Sequence, residues 1–306
     1  MCSTEEKDVK VLSIQSHVVR GYVGNKSATF PLQLHGFEVD ALNSVHFSCH
    51  TFYKHWKGQV LTSADLWTVY EGLKLNNVHF YTHLLTGYCR DESFLRKTAE
   101  IIDDLRTVNN KLFYVCDPVL GDHGKYYVPD NLMPIYRDLI IPRANVITPN
   151  QFELQELSGV KVTSEQSLFE AISKLHRNGN KCVVVTSTDL SANPHLLHGY
   201  GSTLKEDGSL SRFRMDIPKV EAVFVGTGDL FTALLLCWLH KCDRNLQEAC
   251  RRTLSSMQLV LRKTLLNGQK LAGPGAKPGP IELELRLVQS QPELLKPDLA
   301  IDIVPL

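Results

Sequence analysis

The chain lacks an excess of either charge and any long apolar run, and both absences narrow its function. Lysine and arginine together number 33, as do aspartate and glutamate, so the formal net charge is zero. A basic surface for nucleic acid or anionic membranes is therefore not expected. The longest apolar run, residues 230–239, is interrupted by Thr232 and is far shorter than the roughly 20 residues that span a bilayer. Residues 1–8 are polar and charged, unlike a signal peptide, which predicts a cytoplasmic protein.

The cysteines lack any pattern that would give them a chemical role. The sequence contains eight, with no CxxC pair and no zinc-type spacing. Cys116 and Cys182 lie in apolar runs, where a free thiol packs as a small hydrophobic group. We therefore expect reduced, structural cysteines, in agreement with a cytosolic compartment.

Two common phosphate-binding fingerprints are missing as well. Residues 21–27 contain two glycines and a lysine, but no GK[ST] stands at the spacing of a P-loop. Residues 226–228 lack the third glycine of a dinucleotide fold, because Phe231 occupies its place. The sequence therefore predicts neither a P-loop enzyme nor a dehydrogenase of that type.

Short runs of strand type alternate with segments of helical type along the chain. The predicted strands cover residues 9–14, 37–47, 79–86, 112–116, 146–147 and 182–185, and the predicted helices cover 64–75, 91–108, 229–240 and 246–266. Thr62 or Ser63 is expected to cap one helix, and Thr163-Ser164-Glu165-Gln166 is a capping-box pattern at the start of another. A hairpin is predicted from residues 195–202 and 212–217, and residues 281–288 alternate like a strand with one exposed face. The pattern predicts an α/β fold, a mostly parallel sheet with helices on both faces, in a single domain over residues 1–306.

Most of the predicted strands are followed by a polar cluster. The clusters are residues 13–16, 86–88, 117–122, 148–153 and 186–187. Each one alone is explained by an ordinary turn or helix entry, but the carboxyl ends of parallel strands share one edge of a sheet, where ligands bind. Asp117, Asp122 and Glu153 offer the hard oxygen ligands that suit Mg²⁺ or its water shell. Asn150 and Thr186 suit phosphate oxygens or a monovalent cation. Together they predict a nucleotide held through a metal.

The sequence Gly226-Thr227-Gly228-Asp229 leads directly into an apolar run of helical character. The start of a helix presents unpaired N–H groups to an anion. A carboxylate there is ill suited to binding phosphate, and it suits a group that takes a proton from an attacking hydroxyl. An aspartate N-cap after a glycine turn explains the same residues without any chemistry. With the other clusters, the pattern favours Asp229 as a catalytic base.

Taken together, the five clusters, residues 21–25 and residues 226–229 resemble the ribokinase-like superfamily and, within it, the pyridoxal kinase family of animal type. The resemblance covers about residues 9–288 and includes residues 55–61 and 284–290, outside the catalytic motifs. It implies a three-layer sandwich and transfer of the γ-phosphate of ATP to the 5′-hydroxymethyl group of pyridoxal, pyridoxine and pyridoxamine. One alternative is a hydroxymethylpyrimidine kinase, which shares fold and base. Another is a non-catalytic B6-binding protein, against which the intact Asp229 and the acidic clusters argue.

The resemblance also implies roles for individual residues. Asp229 matches the catalytic base, and the N–H groups of Gly226, Thr227 and Gly228 match an anion hole. The residues that match the surroundings of the pyridine ring are Ser16, Val45, Phe47, Thr51 and Tyr88. Those that match nucleotide contacts are Asp117, Tyr127, Asn150, Thr186, Ser187, Val220, Glu221, Ala222 and Thr227.

Cations and a homodimer are implied in the same way. Asp122 matches a contact of Mg²⁺, or of Zn²⁺ in its place. The residues that match the surroundings of a monovalent cation, K⁺ or Na⁺, are Asp117, Thr148, Glu153 and Thr186. The lid segment before Tyr127, residues 123–126, is shorter than in vertebrate members. Phe52 stands beside Thr51 where a small residue is common, and we expect it to narrow the substrate pocket.

Overall fold

The computed structural model describes residues 9–306 and builds them around one large sheet. The strands are β1 (Lys10–Val18), β2 (Glu38–Phe47), β3 (Gly58–Val60), β4 (His83–Thr86), β5 (Phe113–Cys116), β6 (Gly121–Asp122), β7 (Lys125–Tyr126), β8 (Val146–Ile147), β9 (Cys182–Thr188), β10 (Leu196–Leu204), β11 (Leu210–Pro218) and β12 (Asp302–Pro305). The sheet has ten strands in the order β12-β11-β10-β9-β8-β5-β4-β1-β2-β3. Its centre, from β2 to β9, is parallel throughout, and the strands at both edges are antiparallel. The predicted mostly parallel sheet is confirmed.

Helices cover both faces of this sheet. They are α1 (Asn25–Leu34), α2 (Ser63–Leu75), α3 (Glu92–Val108), α4 (Leu132–Ile135), α5 (Gln151–Ser158), α6 (Glu165–Arg177), α7 (Thr227–Lys241), α8 (Leu246–Ala272) and α9 (Gln291–Leu295). Successive side chains of a strand point to opposite faces, so Leu12 of β1 joins the core with α3 and α6, and its neighbour Val11 joins the core with α1, α7 and α8. The chain is therefore an α/β three-layer sandwich of the ribokinase-like kind, as predicted.

The apolar run at residues 230–239 is the body of α7, and every one of these residues is buried. A helix that is apolar on all sides belongs inside a protein, between other layers. α7 packs against α1 and α8 beneath the sheet, so its first turn is fixed rigidly at one edge of it. Across residues 9–306, none of the helices has both the length and the apolar character needed to cross a membrane.

The strand predicted for residues 281–288 is wrong, although its alternation is real. Leu283, Leu285 and Leu287 are buried and their neighbours are more exposed, yet this segment joins no sheet. It lies along α8, where the Arg286 N–H donates to Oγ1 of Thr264 at 3.1 Å. An alternation of buried and exposed residues shows only that one face of the segment is covered, and here α8 covers that face. The edge strand that does pair with β11 is β12, which was not predicted.

The helix starts were predicted correctly apart from a shift of one residue. The Thr62 hydroxyl caps α2 by accepting the Asp65 N–H. The capping box predicted within residues 163–166 forms one residue later, where the Ser164 hydroxyl caps α6 by accepting the Ser167 N–H. The predicted hairpin is formed by β10 and β11 in antiparallel register. The strand predicted to begin at His79 begins only at His83. All cysteines within the described residues are free thiols.

Candidate active site

A cavity of about 650 Å³ opens at the carboxyl ends of the parallel strands. Its wall contains every residue that the sequence analysis assigned to the site except Glu221, which is exposed and lies outside the wall. The flanking Val220 and Ala222 do line the cavity. The polar clusters that follow separate strands are therefore brought to one place, as the topology of a parallel sheet requires.

The strand order divides this cavity into two ends. β2, β1 and β4 lie on one side of β5 and β8, and β9, β10 and β11 lie on the other. The β2 end is formed by Ser16, Val18, Val23, Val45, Phe47, His50, Thr51 and Tyr88. The β9 end is formed by Thr186, Ser187, Leu197, Ile217, Val220, Leu254 and Met257. The start of α7 lies between them, because a Cβ built on Gly228 would be 3.1 Å from Oδ2 of Asp117, the residue that follows β5.

The first turn of α7 is shaped to receive an anion. Gly226 is the N-cap, in a left-handed conformation with φ of 84°, and a Cβ there would lie 2.1 Å from the carbonyl oxygen of Tyr22. Only glycine fits such a position. Within residues 9–306, the N–H groups of Thr227 and Gly228 donate to no protein acceptor. They are free helix-start donors of the kind that bind phosphate.

Asp229 is not the helix cap, because Gly226 holds that position and no side chain caps α7. The capping interpretation of this carboxylate is therefore wrong. Asp229 lies in the third position of the helix, half-buried, in the wall of the cavity. Burial raises the pKa of Asp229, and the Gly24 N–H lowers it by donating to the carboxylate. A carboxylate with a raised pKa is a stronger base than one in water.

The acidic residues at the centre are close enough to affect one another. Asp117 and Glu153 are 6% and 4% exposed. Burial, then the charges of Glu153 and Asp229, raise the pKa of Asp117 well above its usual range. Burial also raises the pKa of Glu153, to about 8, although three backbone N–H groups oppose the shift. A buried group of carboxylates with raised pKa values favours a bound cation, whose charge would offset theirs.

Glu153 and Asn150 hold the loop that follows β5. They form a capping box at the start of α5, in which each side chain accepts the backbone N–H of the other at 2.9 Å. The second carboxylate oxygen of Glu153 accepts the Leu120 N–H at 2.9 Å, and the Asn150 amide donates to the Gly121 carbonyl at 2.7 Å. Both side chains therefore fix the segment from Asp117 to Asp122, a positioning role that sequence reasoning missed.

Two other candidate cation ligands, Thr148 and Asp122, differ in the hydrogen bonds they make and in their exposure. The Thr148 hydroxyl lies 3.0 Å from that of Thr232 in α7. One oxygen of Asp122 accepts the His123 N–H at 2.8 Å, and the side chain is 39% exposed. In the described part of the chain, no three His, Cys, Asp or Glu side chains form a metal-binding group. Carboxylate and hydroxyl oxygens are ligands that Mg²⁺ accepts together with water.

The β2 end has a small apolar core of its own. Val18, Val23, Val45 and Phe47 form a separate buried cluster, against which Tyr88 packs. The sequence analysis named Val45 and Phe47 and missed the two valines beside them. Val18 is the last residue of β1 and Val23 follows that strand, and nothing in their local pattern distinguishes them from core residues. This cluster gives the β2 end an apolar wall beside the polar Ser16.

The lid is a hairpin formed by β6 and β7 with His123 and Gly124 in its turn. It is as short as predicted. The Tyr127 ring follows the hairpin, is 41% exposed, and meets the Phe52 ring edge-on at 5.7 Å between centroids. Both residues line the cavity. The lid therefore meets the loop of the β2 end through the contact between Tyr127 and Phe52. That Phe52 narrows the substrate pocket stays a prediction.

Comparisons with known proteins agree with this site. A family model described as phosphomethylpyrimidine kinase matches residues 86–275. Pyridoxal kinase from Sus scrofa is 52% identical over 306 residues, covering 97% of this chain and 95% of that protein, and pyridoxal kinase from Bos taurus is 51% identical, covering 97% and 98%. A structure of pyridoxal kinase from Leishmania donovani with ADP and pyridoxamine is 35% identical, covers 98% of this chain and 100% of its own, and has a TM-score of 0.89.

The chain belongs to the pyridoxal kinase family. Identity of about half over nearly the full length assigns the chain to this family, and the family model matches the shorter range 86–275. The motifs at the strand ends are therefore those of the pyridoxal kinase family. The apolar residues of the β9 end, such as Leu254 and Met257 of α8, are site residues that sequence reasoning missed, because nothing distinguishes them from ordinary core positions.

Proposed function

We propose that this protein transfers the γ-phosphate of ATP to the 5′-hydroxymethyl group of pyridoxal, pyridoxine and pyridoxamine. The observation that carries the proposal is the position of Asp229 at the start of α7, close to Asp117, in the wall of a cavity whose two ends are built differently. An apolar wall with one buried hydroxyl, Ser16, suits a substituted pyridine ring at the β2 end. The nucleotide is assigned to the β9 end, which is lined by residues of β9, β11 and α8.

The chemistry follows from this placement. Asp229 accepts the proton of the hydroxymethyl group as its oxygen attacks the γ-phosphorus, and ADP leaves with the electrons of the broken P–O bond. The free N–H groups of Thr227 and Gly228 stabilise the negative charge on the transferred group. Rigid packing of α7 keeps base and donors in register. The pKa of Asp229, raised by burial, makes it a better proton acceptor.

We further propose that a divalent and a monovalent cation assist the reaction. Asp117 and Asp122 would hold Mg²⁺, or Zn²⁺ in its place, with the nucleotide phosphates. Asp117, Thr148, Glu153 and Thr186 would surround K⁺ or Na⁺. The excess of buried carboxylate at the centre supports this proposal. Such cations offset the phosphate charge when bound.

Domain organisation, assembly and location are proposed on separate grounds. One continuous sheet joins β12 near the end of the chain to β1, which supports a single domain. The family resemblance supports a homodimer, which light scattering after size exclusion would test. The free cysteines favour a reducing compartment, and the cytoplasm is proposed on that basis.

The test of the reaction is ATP-dependent formation of pyridoxal phosphate by purified protein, followed by absorbance. Hydroxymethylpyrimidine in the same assay addresses the alternative that the family model keeps open. Turnover of pyridoxal with little of hydroxymethylpyrimidine supports the proposal. The reverse order would replace it with the alternative, and binding of pyridoxal without turnover would indicate a non-catalytic B6-binding protein.

A further inference from the structure

Glu284 joins two loops that are distant in sequence. It lies in the extended segment along α8, where its side chain is only 16% exposed. One carboxylate oxygen accepts the Tyr22 N–H at 3.1 Å, and the other accepts the Tyr53 hydroxyl at 2.7 Å. Nε2 of His50 lies 3.5 Å from the same oxygen as Tyr53. The carboxylate thus ties residues 20–24 to residues 50–53.

The fit around this carboxylate is close. Gly21 has φ of 89°, and a Cβ there would lie 2.2 Å from Oε1 of Glu284. Nδ1 of His50 accepts the Phe52 N–H at 3.3 Å, which leaves the ring proton on Nε2, facing Glu284. Glu284 therefore selects the His50 tautomer that holds the backbone beside Thr51. The contacts to His50 and Tyr53 lower the pKa of Glu284, although burial opposes this shift.

Both loops lead into the site. His50, Thr51 and Phe52 line the cavity from one loop, and Val23 lines it from the other. The carbonyl of Tyr22 lies against Gly226. Glu284 itself is absent from the cavity wall, so it reaches a ligand only through the residues it holds.

We propose that Glu284 is a positioning residue for the B6 vitamer. By fixing residues 20–24 and residues 50–53 relative to each other, it sets the shape of the β2 end and hence the affinity for the vitamer. The residues that Glu284 contacts, Tyr22, His50 and Tyr53, lie outside the β9 end, so the affinity for ATP is expected to depend on Glu284 much less than the affinity for the vitamer does. The proposal rests on the proposed function, which assigns the vitamer to the β2 end.

The experiment compares variants by the Michaelis constants of both substrates. In Glu284→Ala, the KM for pyridoxal is expected to rise about tenfold or more because the loops shift, and the KM for ATP is expected to stay within about twofold. Glu284→Gln keeps an acceptor for the Tyr22 N–H and is expected to recover most of the affinity. The matched control is Glu282→Ala, two residues earlier, whose carboxylate accepts only the Gly279 N–H at 2.8 Å.

A second variant keeps the test decisive where Glu284→Ala folds poorly. Tyr53→Phe removes one donor to Glu284 and leaves the ring that packs on His50. It is expected to raise the KM for pyridoxal about threefold on its own, and to add nothing in the Glu284→Ala background, because its partner is already gone. Calorimetry with pyridoxal checks that KM changes are affinity changes.

Two outcomes would overturn the inference while leaving the function intact. In the first, the wild-type protein phosphorylates pyridoxal, and Glu284→Ala either raises the KM for pyridoxal and the KM for ATP equally or changes neither of them. The other is full additivity of Tyr53→Phe and Glu284→Ala. A wild-type protein that binds pyridoxal without phosphorylating it would instead refute the proposed function, and the binding constants of the variants would still decide the role of Glu284.

Discussion

The two ends of the cavity are held together in different ways. At the β2 end, side chains make the connections, and Glu284 bonds to Tyr22 and Tyr53 across 262 and 231 residues of sequence. At the β9 end, the Ala222 N–H donates to the Val220 carbonyl at 2.8 Å within the loop after β11, and the Gln258 amide of α8 donates to the Pro218 carbonyl at 2.9 Å across 40 residues. Val223 in this loop is 75% exposed. The bonds of Glu284 thus join segments much farther apart in sequence than these bonds at the β9 end do.

This difference fits the two ligands proposed. A pyridine ring is small and rigid, and a preformed apolar wall can discriminate among such rings. A nucleotide brings its own charge and contacts phosphate donors at the start of α7, so its end of the site needs less prior order. We expect substitutions at the β2 end to alter vitamer affinity and substitutions at the β9 end to alter nucleotide affinity, with the centre affecting turnover of both.

Among substitutions of the glycine turn, Gly226→Ala is expected to have the largest effect. It would displace the start of α7, which lies between the two ends of the cavity. The added Cβ would lie 2.1 Å from the Tyr22 carbonyl, in a backbone conformation that alanine disfavours. We expect kcat to fall by ~10²-fold or more as the phosphate donors move. Steady-state kinetics measure it. Gly72→Ala in α2, with open space around its Cβ, is the control and should leave kcat unchanged.

Removal of K⁺ should affect the kinetic constants for ATP and for pyridoxal differently. The buried carboxylates of Asp117 and Glu153 lie at the centre, where Asp117 is close to the phosphate donors at the start of α7, so a cation there should act on the phosphates of the nucleotide. We expect kcat/KM for ATP to fall about tenfold when choline chloride replaces KCl at equal ionic strength, with the KM for pyridoxal unchanged. Equal rates in the two salts would show that no monovalent cation takes part.

The pH dependence of stability should report the same carboxylates. Burial raises the pKa of Asp117, Glu153 and Asp229 in the folded state, so their contribution to stability is present below their ordinary pKa of about 4 and is lost as pH rises through the raised values.

Buried histidines whose pKa is lowered, such as His35 and His83, act in the opposite direction below about pH 6.5, so the quantity to compare is the difference between variants. In cation-free buffer, the thermal midpoint of Glu153→Gln minus that of the wild type should rise between about pH 5 and about pH 8, and the same difference for the exposed Glu206→Gln should stay constant. A difference for Glu153→Gln that falls over this range would contradict the assignment.

The smallest effect is expected from Tyr127→Phe, which tests where the lid acts. The ring contact with Phe52 is retained, and only the hydroxyl is lost. We expect the KM for ATP to rise about twofold to threefold, the size of one hydrogen bond in a half-exposed site, and the KM for pyridoxal to stay unchanged. A larger change for pyridoxal would place the lid over the β2 end.

The site residues that could be predicted from the sequence are those marked by their own neighbours in the chain. Asp117 and Thr148 could be found because each follows a strand, and Thr186 because it lies near the carboxyl end of β9; the parallel topology brings these strand ends together whatever the details of packing. Asp229 could be found from its own neighbours, Gly226 and Gly228. These signals are local, and the fold converts them into a site.

The rest depends on contacts between distant segments, which leave no local signal. Glu284 was visible only as part of a segment resembling the family, and the alternation around it predicted a strand that does not form. Glu153 was read as a cation neighbour, and its bond to Leu120 could not be foreseen, because the course of the loop after β5 had to be known first. Its bond to Asn150 belongs to a local capping box, a pattern that is present in the sequence and was not recognised. The assigned roles of the individual residues remain predictions until they are tested.

The central claim is that Asp229 is the catalytic base, which accepts the proton of the hydroxymethyl group where the two ends of the cavity meet. Asp229→Asn keeps the size of the side chain and is expected to leave α7 intact, because Gly226 caps the helix. Its amide cannot accept the hydroxyl proton. We predict that kcat for pyridoxal falls ~10²–10⁴-fold, while calorimetry shows nearly unchanged binding of pyridoxal and of an ATP analogue. A folded variant with near wild-type kcat would contradict the account, since the proton would then have another acceptor.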